Sequence, residues 1–220
     1  MTQLLILVEG DSEELFVKNI LSPHLARFGV YAVATGVVSK RLASGKKLTG
    51  GNRWPNVQKS LQPLLANSGA WVTTLLDLYG LPEDFPGVVG LATISVNARD
   101  RAEYVQNQLS VALGNPQRFI PFLALHEFEA WYFAGPDQVA GFYGEPSVVD
   151  LMKQACRAFG GPENINHGKE THPSKRLEGY GIGFRKTSGV TILKEIGLGS
   201  IRAACPHFNT WLSQLEKLAN

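Results

Sequence analysis

Acidic side chains stand at the ends of three apolar segments that the sequence predicts as β-strands. In an open parallel sheet, residues just past the carboxyl ends of the strands converge on one edge. Carboxylates gathered there repel one another unless a positive group neutralises them, and hard cations such as Mg²⁺ do so through oxygen ligands. The sequence therefore predicts a Mg²⁺ or Mn²⁺ site formed by Glu9, Asp77 and either Glu127 or Glu129, which are equally favoured. The alternative is that these acids cap helices or hydrogen-bond turns.

Two basic residues follow the turn-forming segment 171–174 and are predicted to open a short helix. A lysine such as Lys175, placed near a carboxylate-bound metal, stabilises charge that develops on a phosphate in the transition state. Arg176 offers a bidentate phosphate contact. The alternative is an ion pair with Glu170 or with the strand-end acids, which would hold the C-terminal segment in place, and one pair could serve both purposes.

A basic segment between residues 39 and 53 contains no acid. It carries Lys40, Arg41, Lys46, Lys47 and Arg53, and its Gly and Ser content predicts a long exposed loop over residues 39–52. Such a loop beside an acidic metal centre suits a polyanion backbone, which needs phosphate neutralisation without base readout. Trp54 and Tyr79 could stack on an unpaired base. The alternative is a solvated loop with ordinary lysines.

Strands and helices that would position these residues alternate along the first half of the chain. The predicted strands cover 4–8, 30–38, 70–76 and 119–125, and predicted helices begin near Asp11 or Ser12, near Asn56 and near Asp100. The continuous apolar run 4–8 is typical of a strand buried on both faces of a parallel sheet. This order predicts an α/β fold with a mostly parallel sheet flanked by helices.

The second half of the chain is predicted to be short and helical, broken by Gly and Pro. We therefore expect a single domain over 1–220, with an α/β core at 1–135 and a helical C-terminal extension at 136–220 packed on it. Its aromatic residues, among them Trp131, Tyr132, Phe133 and Phe208, are at helical spacing and are expected in the core.

Composition excludes several classes of protein. The 220 residues include 21 basic and 19 acidic ones, a net charge of +2, which excludes a globally basic nucleic-acid coat. Two cysteines exclude a disulfide scaffold and a four-cysteine zinc site. The chain has no apolar run of roughly 18 residues, the length of a membrane span, so we expect a cytoplasmic protein with no membrane partner.

Five motifs occur in order along the chain. They are Glu9-Gly10-x-Ser12-Glu13, Asp77-x-Tyr79-Gly80-Leu81-Pro82, His126-Glu127-Phe128-Glu129-Ala130, Glu170-Thr171-x-Pro173-Ser174-Lys175-Arg176-Leu177 and Cys205-Pro206-His207-Phe208-Asn209-x-Trp211-Leu212. Together they resemble the bacterial family DUF4276, which is described as Toprim-like. The resemblance implies a Toprim-like domain related to that of the overcoming-lysogenization-defect nucleases. It also implies a partner ATPase and a role in phage defence or DNA processing.

The first two motifs assign roles through the same resemblance. Glu9 resembles the acid of the first Toprim motif, which acts as metal ligand or general acid/base. Asp77 matches the first aspartate of the Asp-x-Asp motif, whereas Tyr79 stands where the second is expected, so one ligand is missing.

These observations lead to a main hypothesis and two alternatives. The main hypothesis is a Mg²⁺- or Mn²⁺-dependent phosphodiesterase acting on nucleic acid, with Glu9, Asp77 and Lys175 as catalytic residues. The first alternative is a non-catalytic sensor or docking module that binds nucleic acid or an ATPase without cleavage, which Tyr79 favours. The second alternative is an enzyme acting on a small phosphate ester or a nucleotide.

Overall fold

The structure is a computed structural model that describes residues 1–41, 47–94, 97–165, 168, 170–185 and 189–219. Its contacts divide the chain into two compact units. The first unit comprises Met1–Leu123 and Gln214–Asn220, and the second comprises Ala124–Ser213. The division of one domain at residue 135 stays a prediction.

The first unit is built on a parallel sheet. The strands, in chain order, are β1 (Thr2–Val8), β2 (Val30–Gly36), β3 (Val38–Arg41), β4 (Lys47–Thr49), β5 (Ala70–Asp77), β6 (Phe119–Ile120) and β7 (Leu123–Ala124). The sheet order is β2-β1-β5-β6, with every pair in that path parallel, and β7 also pairs with β5. Leu4, Ile6, Leu7 and Val8 of the central strand β1 are fully buried, as expected for an apolar strand covered on both faces.

Helical segments of the first unit connect successive parallel strands. They are α1 (Asp11–Phe16), a π-helical turn (Val17–Leu21) that leads into α2 (Ser22–Ala26), α3 (Trp54–Leu65), a 3₁₀ turn (Leu91–Thr93) and α4 (Ala98–Ala112). Parallel neighbours require such crossover connections, because a tight turn cannot return the chain to the same end of the sheet. The predicted α/β class, a mostly parallel sheet flanked by helices, is confirmed.

The prediction of one continuous strand over 119–125 is wrong, because the structure has two short strands there, β6 and β7. Pro121 lies between them and has no N–H to donate to a ladder. The buried side chain of Thr74 bonds the backbone of Phe122 in place of strand pairing. Its Oγ1 accepts from the Phe122 N–H at 2.8 Å and donates to the Phe122 carbonyl at 2.8 Å. Thr73 Oγ1 donates to the Ile120 carbonyl.

The loop predicted over 39–52 is wrong in part, since β3 and β4 form a two-stranded antiparallel ribbon. In this ribbon Val38 pairs with Thr49 and Lys40 with Leu48. Glycine at position 36 permits the close approach of β4, because a Cβ there would lie 2.8 Å from the Thr49 side chain. Residues 42–46, which include the predicted nucleic-acid-binding Lys46, lie outside the described residues.

The second unit is helical, which confirms the helical C-terminal portion. Its elements are a 3₁₀ segment (Phe128–Ala134), α5 (Pro136–Tyr143), α6 (Val148–Phe159), a 3₁₀ turn (Pro162–Asn164), α7 (Pro173–Gly179), α8 (Gly189–Ala204) and α9 (Pro206–Leu215), whose last residues belong to the first unit. A kink divides α8 at Gly197, where φ is 77°. The predicted aromatic core is confirmed: Trp131, Tyr132, Phe133 and Phe208 are buried, and the Trp131 and Phe208 rings lie 4.6 Å apart.

Across the part of the chain that the structure describes, no helix is both long enough and apolar enough to cross a membrane.

Candidate functional site

Two of the predicted acids end neighbouring strands of the first unit. The β1–β5 register pairs Val8 with Leu75, so Glu9 follows β1 directly and Asp77 is the last residue of β5. Both side chains are half-buried. The fold therefore brings Glu9 and Asp77 to the same edge of the sheet, and we call this pair the carboxylate edge.

The turn after Glu9 depends on the residue that follows it. Gly10, rather than Asp11 or Ser12 as predicted, is the N-cap of α1. Its N–H donates to Glu13 Oε2 at 2.9 Å, and its carbonyl accepts from the Glu14 N–H at 3.1 Å. Glu13 is buried and thus serves the start of the helix, which leaves Glu9 as the acid at the strand end.

The loop after Asp77 is held against the start of α3. The Trp54 ring meets the buried Phe85 ring edge-on at a centroid distance of 5.7 Å, and the Trp54 N–H donates to Asp84 Oδ1 at 3.4 Å. Asn52 Nδ2 donates to the Gly80 carbonyl at 3.4 Å. Arg53, the N-cap residue of α3, is exposed, and its chain neighbours Asn52 and Trp54 contact the loop that follows Asp77.

The basic ribbon leaves the sheet at the same edge. Gly36 at the end of β2 pairs with Val8, and the Val37 N–H donates to the Val8 carbonyl at 2.9 Å. Lys40, two residues into β3, is exposed. Arg41 ends β3 and Lys47 begins β4, and their roles in nucleic-acid binding stay predictions.

Glu127 lies in the second unit, where hydrogen bonds occupy both of its carboxylate oxygens. Oε2 accepts from the Ser174 N–H at 3.1 Å and lies 2.8 Å from His172 Nδ1, and the Ser174 hydroxyl is 3.1 Å from each oxygen. All three side chains are buried. Glu127 therefore anchors the first turn of α7, and a metal at this carboxylate would share its oxygens with these bonds.

Glu129 also lies in the second unit, in the first turn of the 3₁₀ segment that follows Glu127. Its side chain is only 3% exposed. The assignment of Glu127 and Glu129 as metal ligands stays a prediction.

The two basic residues of α7 behave differently. Lys175 Nζ pairs with Glu178 Oε2 at 2.6 Å, and this hydrogen bond raises the pKa of the exposed lysine. The predicted partner Glu170 makes a smaller contribution to that pKa. Arg176 Nε donates to the Thr171 carbonyl at 2.6 Å, and its guanidinium lies 5.0 Å from the centre of the Phe159 ring. Arg176 therefore helps to hold α7, and the catalytic role of Lys175 stays a prediction.

The sequence did not indicate two buried contacts of the second unit. His172 and Ser174 contact an acid 45 and 47 residues away in sequence, and Glu163 Oε2 and Oε1 accept from the His207 and Phe208 N–H groups at 2.8 and 2.9 Å. Glu163 thereby caps α9. No local pattern signals such contacts, because a capping acid normally lies within three residues of the helix start.

The carboxylate edge offers the oxygen donors that a hard divalent cation uses, and its role as a metal site stays a prediction. No group of three or more His, Cys, Asp or Glu side chains is placed to hold a metal ion among the residues the structure describes. Mg²⁺ is nevertheless commonly bound through one or two carboxylates while it keeps several waters, and carboxylate oxygens also suit Mn²⁺. Glu9 and Asp77 supply that donor set, whereas zinc prefers nitrogen and sulfur ligands in a closed site.

Comparison with known proteins gives a family and one similar structure. No curated protein sequence matches the chain significantly. The chain is similar to the solved structure of the C-terminal region of the Burkholderia pseudomallei OLD protein, with 16% sequence identity and a TM-score of 0.46 over 99% of this chain and 98% of that one. The model of DUF4276, a domain of unknown function, matches residues 8–216. Because this match spans nearly the whole sequence, the chain belongs to the DUF4276 family.

Proposed function

We propose that this protein is a divalent-metal-dependent phosphodiesterase that acts on nucleic acid. The observation that supports the proposal is the position of Glu9 and Asp77 at the ends of two adjacent parallel strands, β1 and β5. Carboxylates concentrated at the carboxyl edge of a parallel sheet lie where open α/β sheets bind their ligands. Their oxygen donors suit Mg²⁺ or Mn²⁺.

Each residue of the proposed site has a physical role. A bound Mg²⁺ or Mn²⁺ would polarise a phosphoryl oxygen and lower the pKa of water. Glu9 and Asp77 would hold the ion, and Glu9 would serve as metal ligand or as general acid/base. Lys40 and Arg53, both exposed on elements that leave the same edge, would attract backbone phosphates without reading bases.

The test is cleavage of labelled single- and double-stranded DNA and RNA with Mg²⁺ or Mn²⁺, and with EDTA in place of the metal. We expect metal-dependent cleavage that falls by roughly 100-fold or more in Glu9→Gln and Asp77→Asn, the scale of losing one electrostatic contact to a transition state. Glu14→Gln is the matched control, because Glu14 is an exposed acid of the adjacent helix turn. Equal cleavage by wild type and Glu9→Gln would contradict the proposal.

Binding of Mn²⁺, followed by its electron paramagnetic resonance signal, separates metal binding from catalysis. Wild type and Glu14→Gln should bind Mn²⁺ alike. Glu9→Gln and Asp77→Asn should bind it more weakly, because each loses a charged oxygen ligand. Unchanged Mn²⁺ binding in both variants would place the metal elsewhere.

A second candidate function is a non-catalytic module that binds nucleic acid, or a partner ATPase of the kind the family resemblance implies, without cleavage. One observation favours it: the carboxylate of Glu127, a predicted ligand, already accepts hydrogen bonds from His172 and Ser174. In that case wild type should retard labelled DNA or RNA in a gel whether Mg²⁺ or EDTA is present. The nucleic acid should be recovered uncut.

A further inference from the structure

A concave pocket in the first unit lies between β3 and α3 and shares one lining residue, Lys40, with the proposed phosphate contacts described above. Its volume is about 330 Å³, within the range of small-molecule sites. Helix α3 lines the pocket with residues 56, 59, 60, 63 and 64. Their spacing places them on one face of the helix. Thr35, Val38 and Lys40 line it from the strand side.

Positive charge and one buried hydroxyl define the polar part of this pocket. Among the described residues its lining includes two lysines, Lys40 and Lys59, and no acid. Both lysines are exposed, and neither forms an ion pair with a described residue. Ser60 is 8% exposed, and its Oγ accepts from the Val38 N–H at 3.1 Å, which leaves the hydroxyl proton for donation. Two ammonium groups and a hydroxyl donor suit a phosphate.

The rest of the lining combines polar Thr35, Ser39 and Asn56 with apolar residues. Val38, Pro63 and Leu64 supply aliphatic surface next to the lysines. A ligand that fills this pocket therefore combines an anionic group with a flat or apolar body.

We propose that this pocket binds a nucleoside phosphate, with the phosphate at Lys40, Lys59 and the Ser60 hydroxyl and the nucleoside against Val38, Pro63 and Leu64. The same chemistry occurs in a free mononucleotide and at the phosphorylated end of a nucleic-acid strand. Thr35 and Val38 belong to the end of β2 and the start of β3, so this wall of the pocket lies near the sheet edge where β1 ends and Glu9 follows. As a subsite for a strand end, the pocket rests on the proposed function; as a nucleotide site, it does not.

The test is calorimetric titration in EDTA with adenosine 5′-monophosphate, a 5′-phosphorylated trinucleotide, the same trinucleotide without its phosphate, and inorganic phosphate. We expect wild type to bind the two phosphorylated nucleotide ligands more tightly than the others. Lys40→Gln and Lys59→Gln should each weaken binding roughly tenfold, the scale of one charge-assisted hydrogen bond. Lys18→Gln, which removes another exposed lysine of the first unit, should change nothing.

Each ligand comparison decides one part of the proposal. Tighter binding of the trinucleotide than of the mononucleotide assigns the pocket to a strand end, and the reverse order assigns it to a free nucleotide. The proposal that the pocket holds the nucleoside is overturned if inorganic phosphate binds with the same affinity as adenosine 5′-monophosphate. The site is overturned if no ligand binds, if both pocket variants bind like wild type, or if Lys18→Gln loses as much affinity as they do.

Failure of this proposal is distinguishable from failure of the phosphodiesterase. Binding is measured without metal, and Glu9→Gln should bind adenosine 5′-monophosphate as wild type does. Protein that binds the nucleotide but cleaves nothing would overturn the proposed function alone. A crystal soaked with 5-bromodeoxyuridine monophosphate adds a direct readout, because anomalous bromine density should lie beside Val38 and Leu64.

Discussion

Acids in this chain serve two different purposes at the residue scale. Glu13, Glu127 and Glu163 accept hydrogen bonds from backbone N–H groups near the starts of helices. Burial near such N–H groups lets a carboxylate replace hydration by fixed dipoles. Glu9 and Asp77 instead end strands, which is why the proposed chemistry is assigned to them. The capping alternative thus describes the hydrogen bonds of Glu127, whose role as a metal ligand stays a prediction.

Thr74 is a single residue with a measurable effect on stability. Its buried hydroxyl satisfies both the N–H and the carbonyl of Phe122. Thr74→Val keeps the shape of the side chain but removes both bonds, so we expect it to lower the free energy of unfolding by about 1–3 kcal/mol. The measurement is the midpoint of urea unfolding. Thr191→Val, at an exposed position, should stay within about 0.5 kcal/mol of wild type.

At the scale of elements, Pro and Gly decide where regular structure begins and ends. Pro121 divides the predicted strand into β6 and β7, and Gly36 allows β4 to approach the end of β2. The start of α7 depends on a distant carboxylate, since the Ser174 N–H donates to Glu127. The position of α7, and with it Lys175, therefore depends on a contact between segments far apart in sequence.

Glu127→Gln tests whether this carboxylate anchors α7. The amide keeps the shape of the side chain but loses its charge. We therefore expect the free energy of unfolding to fall by roughly 2 kcal/mol, the contribution of a hydrogen bond to a charged group. Amide hydrogens of α7 should also exchange faster. Glu170→Gln, an exposed acid just before α7, is the control. If Glu127→Gln weakens Mn²⁺ binding while stability is unchanged, the residue is a metal ligand instead of an anchor.

The whole molecule is nearly neutral, with a net charge of +2, so its long-range field for nucleic acid is weak. Attraction to a polyanion must then come from local groups. In the first unit, Lys40 and Arg53 are exposed on elements that leave the carboxyl edge of the sheet. The positions of these basic residues should therefore affect nucleic-acid binding more than the net charge of the protein does.

The salt dependence of binding to single-stranded DNA tests this expectation. Lys40→Gln and Arg53→Gln should each make the slope of log K against log salt concentration shallower by about 0.7, the value for one phosphate contact. Lys18→Gln causes the same change in net charge away from the edge and should leave the slope unchanged. Fluorescence anisotropy at several salt concentrations gives the slopes, and equal slopes for all three variants would show that binding is not localised here.

The sequence by itself determined the α/β class, because hydrophobic periodicity and the order of elements are local signals. It also placed Glu9 and Asp77 at strand ends, and the parallel register puts both at the same edge of the sheet. It could not determine the Glu127–His172–Ser174 contact, the capping of α9 by Glu163 or the pocket between β3 and α3. Those features join segments whose separation in sequence leaves no local pattern, so only the tertiary structure decided them.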